Sequence, residues 1–165
     1  MDPSIQQEKS FVSVKEVDLF RDTSVRYFGY ANEVGESFRP IFPRFVLPSY
    51  VIAFAYVGAD ALDKTLKAKR AGKDANSAIR LGVDALLWQT LASVLIPGKI
   101  INMITGGGVK LFQSDININV IKSLPKSVKT WCPTVIGLVA IPFIIHPIDH
   151  AVDVLFDNTL RRWWR

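Results

Sequence analysis

The sequence predicts an all-α, multi-pass membrane helical protein with about three short kinked spans and an amphipathic helix near each end. Three observations support this prediction. Apolar residues make up 49% of the 165-residue chain, and the mean hydropathy is +0.22. Apolar segments with at most one charge occupy 45–59, 81–98 and 133–145. Elsewhere apolar residues recur at three- and four-residue steps, which is the spacing of one helix face.

The N-terminal region divides into a polar tail over 1–17 and a predicted amphipathic helix over 18–39. The tail has no apolar core of signal-peptide length, so we expect it to be poorly ordered rather than a secretory leader. Pro40 and Pro43 are expected to stop the helix. A helix of this kind suits a membrane interface and equally suits packing on its own bundle. The apolar face comprises Phe20, Thr23, Tyr27, Tyr30, Ala31, Val34 and Phe38.

The predicted spans cover about 45–63, 80–98 and 130–148. A helix that crosses ~30 Å of hydrocarbon needs about 20 apolar residues, and none of the apolar segments is that long. Core helices of a soluble bundle look similar, but the flanking Lys, Arg and Trp residues favour membrane spans. Two helical pairs, Asp60–Lys64 and Asp63–Lys67, predict that the first helix continues into water.

The chain between the spans contains glycines at both turns. Gly72 is the predicted stop of the first long helix. Gly106, Gly107 and Gly108 predict a flexible joint, but they lack the spacing of a phosphate-binding loop. Residues 109–124 are expected to form a short interfacial helix or a weak fourth span. The loops on either side of the second span carry similar numbers of Lys and Arg, which leaves the membrane orientation open.

Four polar residues within or beside the apolar segments are candidates for intramembrane contacts: Asp60, Arg80, Asp84 and Gln89. A carboxylate such as Asp84 costs roughly 2.5–3.5 kcal/mol in hydrocarbon on insertion scales. A proton relay is one interpretation. The favoured one is structural, with Asp84 paired to Arg80 four residues earlier and with Gln89 and Ser93 forming interhelical hydrogen bonds.

The stretch IPFIIHPIDHAVD at 141–153 contains the only two histidines of the chain. On a continuous helix its polar side chains would share one face and form a ligand set for zinc or iron. Pro147 favours a different interpretation, in which one helix ends and an amphipathic helix over about 147–163 begins. We therefore expect no metal and no cofactor. The low-probability candidate ligands are His146, Asp149, His150 and Asp153.

The tail LRRWWR suits the headgroup region of a membrane, because indole rings settle there and guanidinium groups meet phosphate. The predicted lipid-contact residues are Arg161, Arg162, Trp163, Trp164 and Arg165. The net charge is +5 and the basic residues are spread along the chain, which argues against nucleic-acid binding. No catalytic triad, Cys/His pair or carboxylate cleft can be assembled, so an enzyme is not expected.

Four stretches of the sequence, in the same order, resemble the mitochondrial 18 kDa protein family, and the resemblance extends over about 18–162. This resemblance implies a multi-pass protein of the mitochondrial inner membrane that promotes mitochondrial fission and inner-membrane organisation. It implies contacts with membrane lipids and other inner-membrane proteins. The chain departs from the family over 103–128, where it is more polar. The matching stretches are 22–39, 49–64, 88–102 and 141–161.

Three functional hypotheses remain open from the sequence. The first is a non-enzymatic membrane factor that acts through protein and lipid contacts. The second is a structural subunit of a large inner-membrane assembly, such as a respiratory or ATP synthase complex. The third is a small carrier or proton-conducting protein with Asp84, Asp60 or His146 in its path.

Overall fold

The structure is a computed structural model that describes residues 20, 23–113 and 123–163, and the elements within this part of the chain are all helical. The predicted tail over 1–17 lies outside the described residues. In chain order, the elements are a 3-10 helix (Ser24–Tyr30), α1 (Ala31–Phe38), a short 3-10 turn (Pro43–Phe45), α2 (Val46–Arg70), α3 (Ala75–Gln89), a π-helical turn (Thr90–Leu95), α4 (Ile96–Gln113), α5 (Lys126–Asn158) and α6 (Leu160–Trp163).

Three continuous helical stretches are long and apolar enough to cross a membrane. They cover Pro43–Arg70, Ala75–Phe112 and Lys126–Trp163, with 28, 38 and 38 residues. At about 1.5 Å per residue the shortest of them measures about 42 Å, which exceeds the ~30 Å of a hydrocarbon layer. The fold class and the number of spans are confirmed among the described residues. The helices themselves are longer than the apolar segments suggested, because their charged turns continue beyond the hydrocarbon.

The bundle exposes many large apolar side chains and buries several charged or polar ones beside its apolar core. No more than 33% of the most apolar window of any span is buried within the protein. Leu47 on α2 and Phe143 on α5 are each 74% exposed. In contrast, Glu33, Glu36 and Asp60 are at most 2% exposed. This distribution fits a protein surrounded by hydrocarbon, because no hydrophobic effect drives apolar side chains into the interior there.

The sequence predicts that the N-terminal helix packs through its apolar face, and the structure shows a different orientation. Helix α1 packs between α2, α4 and α5, and its polar face is the buried one. Val34 on the opposite face is 41% exposed. The physical reason is that Asn32 and Glu36 find hydrogen-bond partners inside this bundle and would find none in hydrocarbon. Before α1, Phe20 packs edge-to-face on Tyr56 at 5.5 Å between ring centroids.

The turn between α2 and α3 forms as the sequence predicted. Gly72 adopts a φ of 77°, in the left-handed region that glycine occupies without strain. The Lys73 N–H then donates to the Ala68 carbonyl at 3.1 Å, which closes the end of α2. The Asp74 side chain accepts a hydrogen bond from the Ser77 N–H at 3.1 Å and caps α3.

The predicted flexible joint at Gly106–Gly108 is wrong, because α4 runs through all three glycines. A Cβ built on Gly108 would lie 3.1 Å from the Pro133 Cβ of α5, so the missing side chain lets two helices approach. The irregularity of this span lies earlier, at Thr90–Leu95, where the chain forms a π-helical turn. This turn ends two residues before Pro97, whose ring disturbs regular helical hydrogen bonding.

The predicted helix break at Pro147 is also wrong. Helix α5 is continuous over Lys126–Asn158 and contains Pro133, Pro142 and Pro147. The local tendency of Pro147 to end a helix is outweighed here, because tertiary packing keeps the residues beyond the proline helical. Ile148, Val152 and Phe156 are buried in one cluster against Ala92, with Trp88 packed beside them. Proline is tolerated in spanning helices when neighbouring helices support the backbone.

Candidate functional site

The candidate site is the polar interior of the bundle, and Glu36 on α1 is its best-connected residue. Its carboxylate accepts two hydrogen bonds from Arg39, at 2.6 and 2.7 Å. It also accepts one from the Tyr50 hydroxyl at 3.0 Å and one from the Asn102 amide at 2.8 Å. These bonds tie α1 to α2 and α4. Burial acts to raise the pKa of Glu36, but the hydrogen bonds outweigh it and hold the pKa below its ordinary value.

Asn32 joins α1 to the π-helical turn. Its side-chain amide donates a hydrogen bond of 3.0 Å to the Val94 carbonyl. Gly98 makes this approach possible, because a Cβ there would lie 2.9 Å from the Asn32 amide nitrogen and 2.5 Å from the Tyr50 hydroxyl. Asn32 is fully buried, so the bond forms away from solvent.

Glu33 is the unusual member of the interior. It is 1% exposed, and neither carboxyl oxygen has a hydrogen-bond partner among the described residues. Burial raises its pKa to about 8, and the negative charge of Asp149 on α5 adds to the shift. Glu33 is therefore largely protonated at neutral pH. A neutral carboxylic acid has an O–H hydrogen-bond donor in addition to its acceptor oxygens, whereas an ionised carboxylate only accepts.

Asp60 on α2 anchors a second polar group inside the bundle. It is fully buried, and its carboxylate pairs with Lys64 at 2.6 Å. Gln89 on α3 donates to the same oxygen at 2.8 Å. Ser93, expected to bond between helices, instead donates to Gln89 within its own helix at 2.7 Å. The predicted pair Asp60–Lys64 thus forms at the helical spacing that suggested it, as does Asp63–Lys67 at 2.8 Å.

Asp84 has a different partner from the predicted one. Arg80 is exposed, and the carboxylate of Asp84 instead pairs with Arg161 at 3.2 Å. Arg161 also reaches Asp153 at 3.2 Å and Asp157 at 3.0 Å. One guanidinium group has donors for three carboxylates, whereas the i to i+4 pair with Arg80 would satisfy only one. Arg161 therefore fastens the C-terminal end of the chain to α3.

The four low-probability metal ligands all lie on α5. They do not form a cluster that could hold an ion. Within 20, 23–113 and 123–163, no three His, Cys, Asp or Glu side chains come together in metal-binding geometry. His146 and His150 are both exposed. Asp149 acts electrostatically on Glu33, and Asp153 contacts Arg161. The two carboxylates thus take part in separate interactions, and the two histidines face outward.

The predicted lipid-contact residues are described only in part. Trp163 is 90% exposed, and Arg162 is also exposed. Arg161 is committed to carboxylates of its own chain. Trp164 and Arg165 lie outside the described residues. Lipid contact by Arg162 and Trp163 stays a prediction.

The interior residues Asn32, Glu33, Glu36 and Ser37 were missed from the sequence. They share one helix face at steps of one, three and four residues, so the polar periodicity was available. Periodicity alone does not indicate whether the polar or the apolar face is buried. In hydrocarbon a polar face packs inward where it finds hydrogen-bond partners. The arrangement contains no nucleophile paired with a base, and its chemistry is hydrogen bonding and proton binding within a packed bundle.

Comparison with known proteins identifies the family. Residues 14–83 match the model of the mitochondrial 18 kDa protein family. Mitochondrial fission process protein 1 of Homo sapiens is 45% identical over 153 residues, which cover 89% of this chain and 88% of the human protein. The protein of the same name from Caenorhabditis elegans is 44% identical over 151 residues, covering 88% and 87%. An uncharacterized protein of Acanthamoeba polyphaga mimivirus is 30% identical over 140 residues, covering 80% and 71%.

No solved structure matches the chain. The two relatives named mitochondrial fission process protein 1 align over 88% and 87% of their own length. The chain is therefore a mitochondrial membrane protein that belongs to the mitochondrial fission process protein 1 family.

Proposed function

We propose that this chain is a non-enzymatic protein of the mitochondrial inner membrane that promotes mitochondrial fission and inner-membrane organisation through protein and lipid contacts. The observation that carries the proposal is the 45% identity to a fission process protein over 89% of the chain. The polar interior supports a structural role, because its hydrogen bonds join helices to one another. The apolar exterior offers the surface on which lipids and other membrane proteins pack.

The test has two parts, both in cells that lack the endogenous protein. Re-expression of this chain should restore mitochondrial division, measured as the length of the mitochondrial network. In isolated mitochondria, protease should cleave the protein only after the outer membrane has been ruptured. Cleavage in intact mitochondria would contradict the inner-membrane assignment, and an unchanged network would contradict the role in fission.

A carrier or proton-conducting role is the second candidate, and Glu33 is the observation that favours it. A buried acid without a hydrogen-bond partner is a group that could take up and release a proton. The residues expected in such a path suit it less, because Asp60 and Asp84 are ion-paired and His146 is exposed. A proton-flux assay on reconstituted protein distinguishes the candidates. Flux that disappears in Glu33→Gln would favour conduction, and flux equal to empty vesicles would exclude it.

The hypothesis of a subunit in a large assembly is tested by gentle detergent extraction. Native sizing followed by mass spectrometry should show whether stoichiometric neighbours travel with the chain. A small homo-oligomer or monomer would contradict the subunit hypothesis and leave the membrane-factor proposal intact.

A further inference from the structure

A groove of about 440 Å³ lies where α2, α3 and the C-terminal end of the chain meet. One wall belongs to the last turns of α2, the other to the second half of α3 from Leu81 to Trp88, and Arg161 lines one side. The lining residues that carry charge are Lys64, Lys67, Lys73, Asp84 and Arg161. Its apolar part includes Ala68, Leu81, Ala85 and Trp88.

Three lysines line one side of this groove. An ammonium has three donors; Lys64 pairs with Asp60, and Lys67 pairs with Asp63. The side chains of Lys64 and Lys67 are 25% and 31% exposed, so both can be reached from outside. Lys73 forms no ion pair within the described part of the chain, and it is exposed.

Arg161 has a different role at the groove. It is surrounded by the carboxylates of Asp84, Asp153 and Asp157, whose three negative charges exceed its own. An added anion would be repelled at this side. Arg161 therefore forms a wall. On the opposite side Asp60 and Asp63 balance the charges of Lys64 and Lys67, so the exposed Lys73 supplies the positive charge in excess there.

The length of α2 argues for a groove at the depth of the lipid headgroups. Helix α2 has 25 residues and so a length of about 38 Å, which carries its last charged turns beyond ~30 Å of hydrocarbon. Trp88, a residue type that favours the membrane interface, lies at the opposite end of the groove from the α2–α3 turn. Ala85 and Leu81 lie between these levels. A phospholipid whose phosphate lies beside the lysines would thus have its acyl chains next to apolar side chains.

We propose that this groove binds the phosphate headgroup of an anionic phospholipid, with Lys64, Lys67 and Lys73 contacting the phosphate oxygens and the acyl chains lying along Leu81 and Ala85. Basic pockets between spanning helices are suited to such headgroups, and lysine binds phosphate as a compact charge. The inference deepens the proposed function, because it names the chemistry of one lipid contact. It rests on the membrane placement of the helices and is independent of a role in fission.

The test uses the full-length protein in nanodiscs of phosphatidylcholine, with or without a minor fraction of cardiolipin or phosphatidylglycerol. Native mass spectrometry measures the lipid that stays bound. The variant is Lys67→Gln/Lys73→Gln, which keeps Lys64 because the buried Asp60 needs its charge. The matched control is Lys126→Gln/Lys129→Gln, which removes two lysines from the start of α5. Thermal unfolding of all three proteins verifies that they are folded.

We expect the wild type and the control to retain the anionic lipid, and the groove variant to lose about tenfold or more in affinity. Equal retention by the groove variant would overturn the proposal, as would equal loss in the control, which would indicate a general surface-charge effect. Inorganic phosphate added to the nanodiscs distinguishes the source of the anion. Displacement of the lipid only at high phosphate supports a lipid site, whereas phosphate binding to lipid-free protein with similar affinity would overturn it. A network-length assay on the same variant reports separately on fission.

Discussion

Gln89 on α3 donates a hydrogen bond of 2.8 Å to Asp60 on α2, and the same carboxylate oxygen pairs with Lys64 at 2.6 Å. Asp60 is fully buried, so these two contacts are what makes its charge tolerable between two spans. The hydrogen bond between Gln89 and Asp60 thereby fixes the position of α3 against α2. In a membrane this matters because apolar contacts between helices have no hydrophobic advantage over contacts with lipid.

Removal of Lys64 should destabilise the protein far more than removal of Lys67. Lys64→Met leaves the buried carboxylate of Asp60 without its cation, at a cost of about 3–5 kcal/mol. Lys67→Met breaks a pair whose carboxylate, Asp63, is 29% exposed, at a cost below about 1 kcal/mol. Thermal unfolding in detergent measures both. Similar losses in the two variants would contradict the structural importance of Asp60.

Glu33→Gln should stabilise the protein at alkaline pH. Because the pKa of Glu33 is about 8 in the folded state and 4.5 ordinarily, the unfolded chain releases this proton first as pH rises. Glu33 therefore contributes stability below about pH 4.5 that is lost progressively up to about pH 8. The glutamine variant lacks this loss, which is on the order of a few kcal/mol.

Unfolding midpoints of the wild type and the Glu33→Gln variant, measured from acidic to alkaline pH, check this prediction. Glu36→Gln is the control. The pKa of Glu36 is lowered in the folded state, so its contribution is present at neutral pH and is lost as pH falls. Parallel pH profiles for wild type and Glu33→Gln would show that Glu33 titrates normally.

Arg161→Gln should release the C-terminal end of the chain. The substitution removes the contacts with Asp84, Asp153 and Asp157, at 3.0 to 3.2 Å. Because these groups are partly exposed, we expect a loss of about 1–2 kcal/mol. Faster amide hydrogen exchange over 158–163 is the expected readout. Arg162→Gln is the matched control and should leave the exchange unchanged. A rate equal to wild type in Arg161→Gln would refute the contact.

Two glycines should respond in opposite ways to alanine. At Gly82 a methyl group would collide with the Thr65 hydroxyl of α2, so Gly82→Ala should cost about 1–3 kcal/mol. At Gly106 nothing lies within 4 Å of the added Cβ, and the residue is inside α4. Gly106→Ala should therefore stabilise by about 0.5–1 kcal/mol.

The Gly82 and Gly106 variants are compared by thermal unfolding in the same detergent. Thr65→Ala combined with Gly82→Ala removes the colliding hydroxyl and should recover part of the loss. A destabilised Gly106→Ala would indicate that the glycines of α4 serve as a joint after all, which the continuous helix argues against.

The sequence by itself determined the features that depend on neighbours along the chain. Apolar segments specify three helices, Gly72 ends α2, and the i to i+4 spacing brings Lys64 to Asp60. Each of these follows from backbone conformation and from side chains one helical turn apart, which a linear pattern contains.

Only the tertiary structure decided which distant groups meet. Arg161 lies 77 residues from Asp84, and no periodicity relates the two. The burial of the polar face of α1 follows from the partners that α2 and α4 supply to Glu36. Pro147 stays inside a helix because Ile148 and Val152 pack against α3 and the π-helical turn that follows it, and that packing outweighs the local cost of a proline. Long-range contacts of this kind depend on how whole helices pack, which the local pattern leaves open.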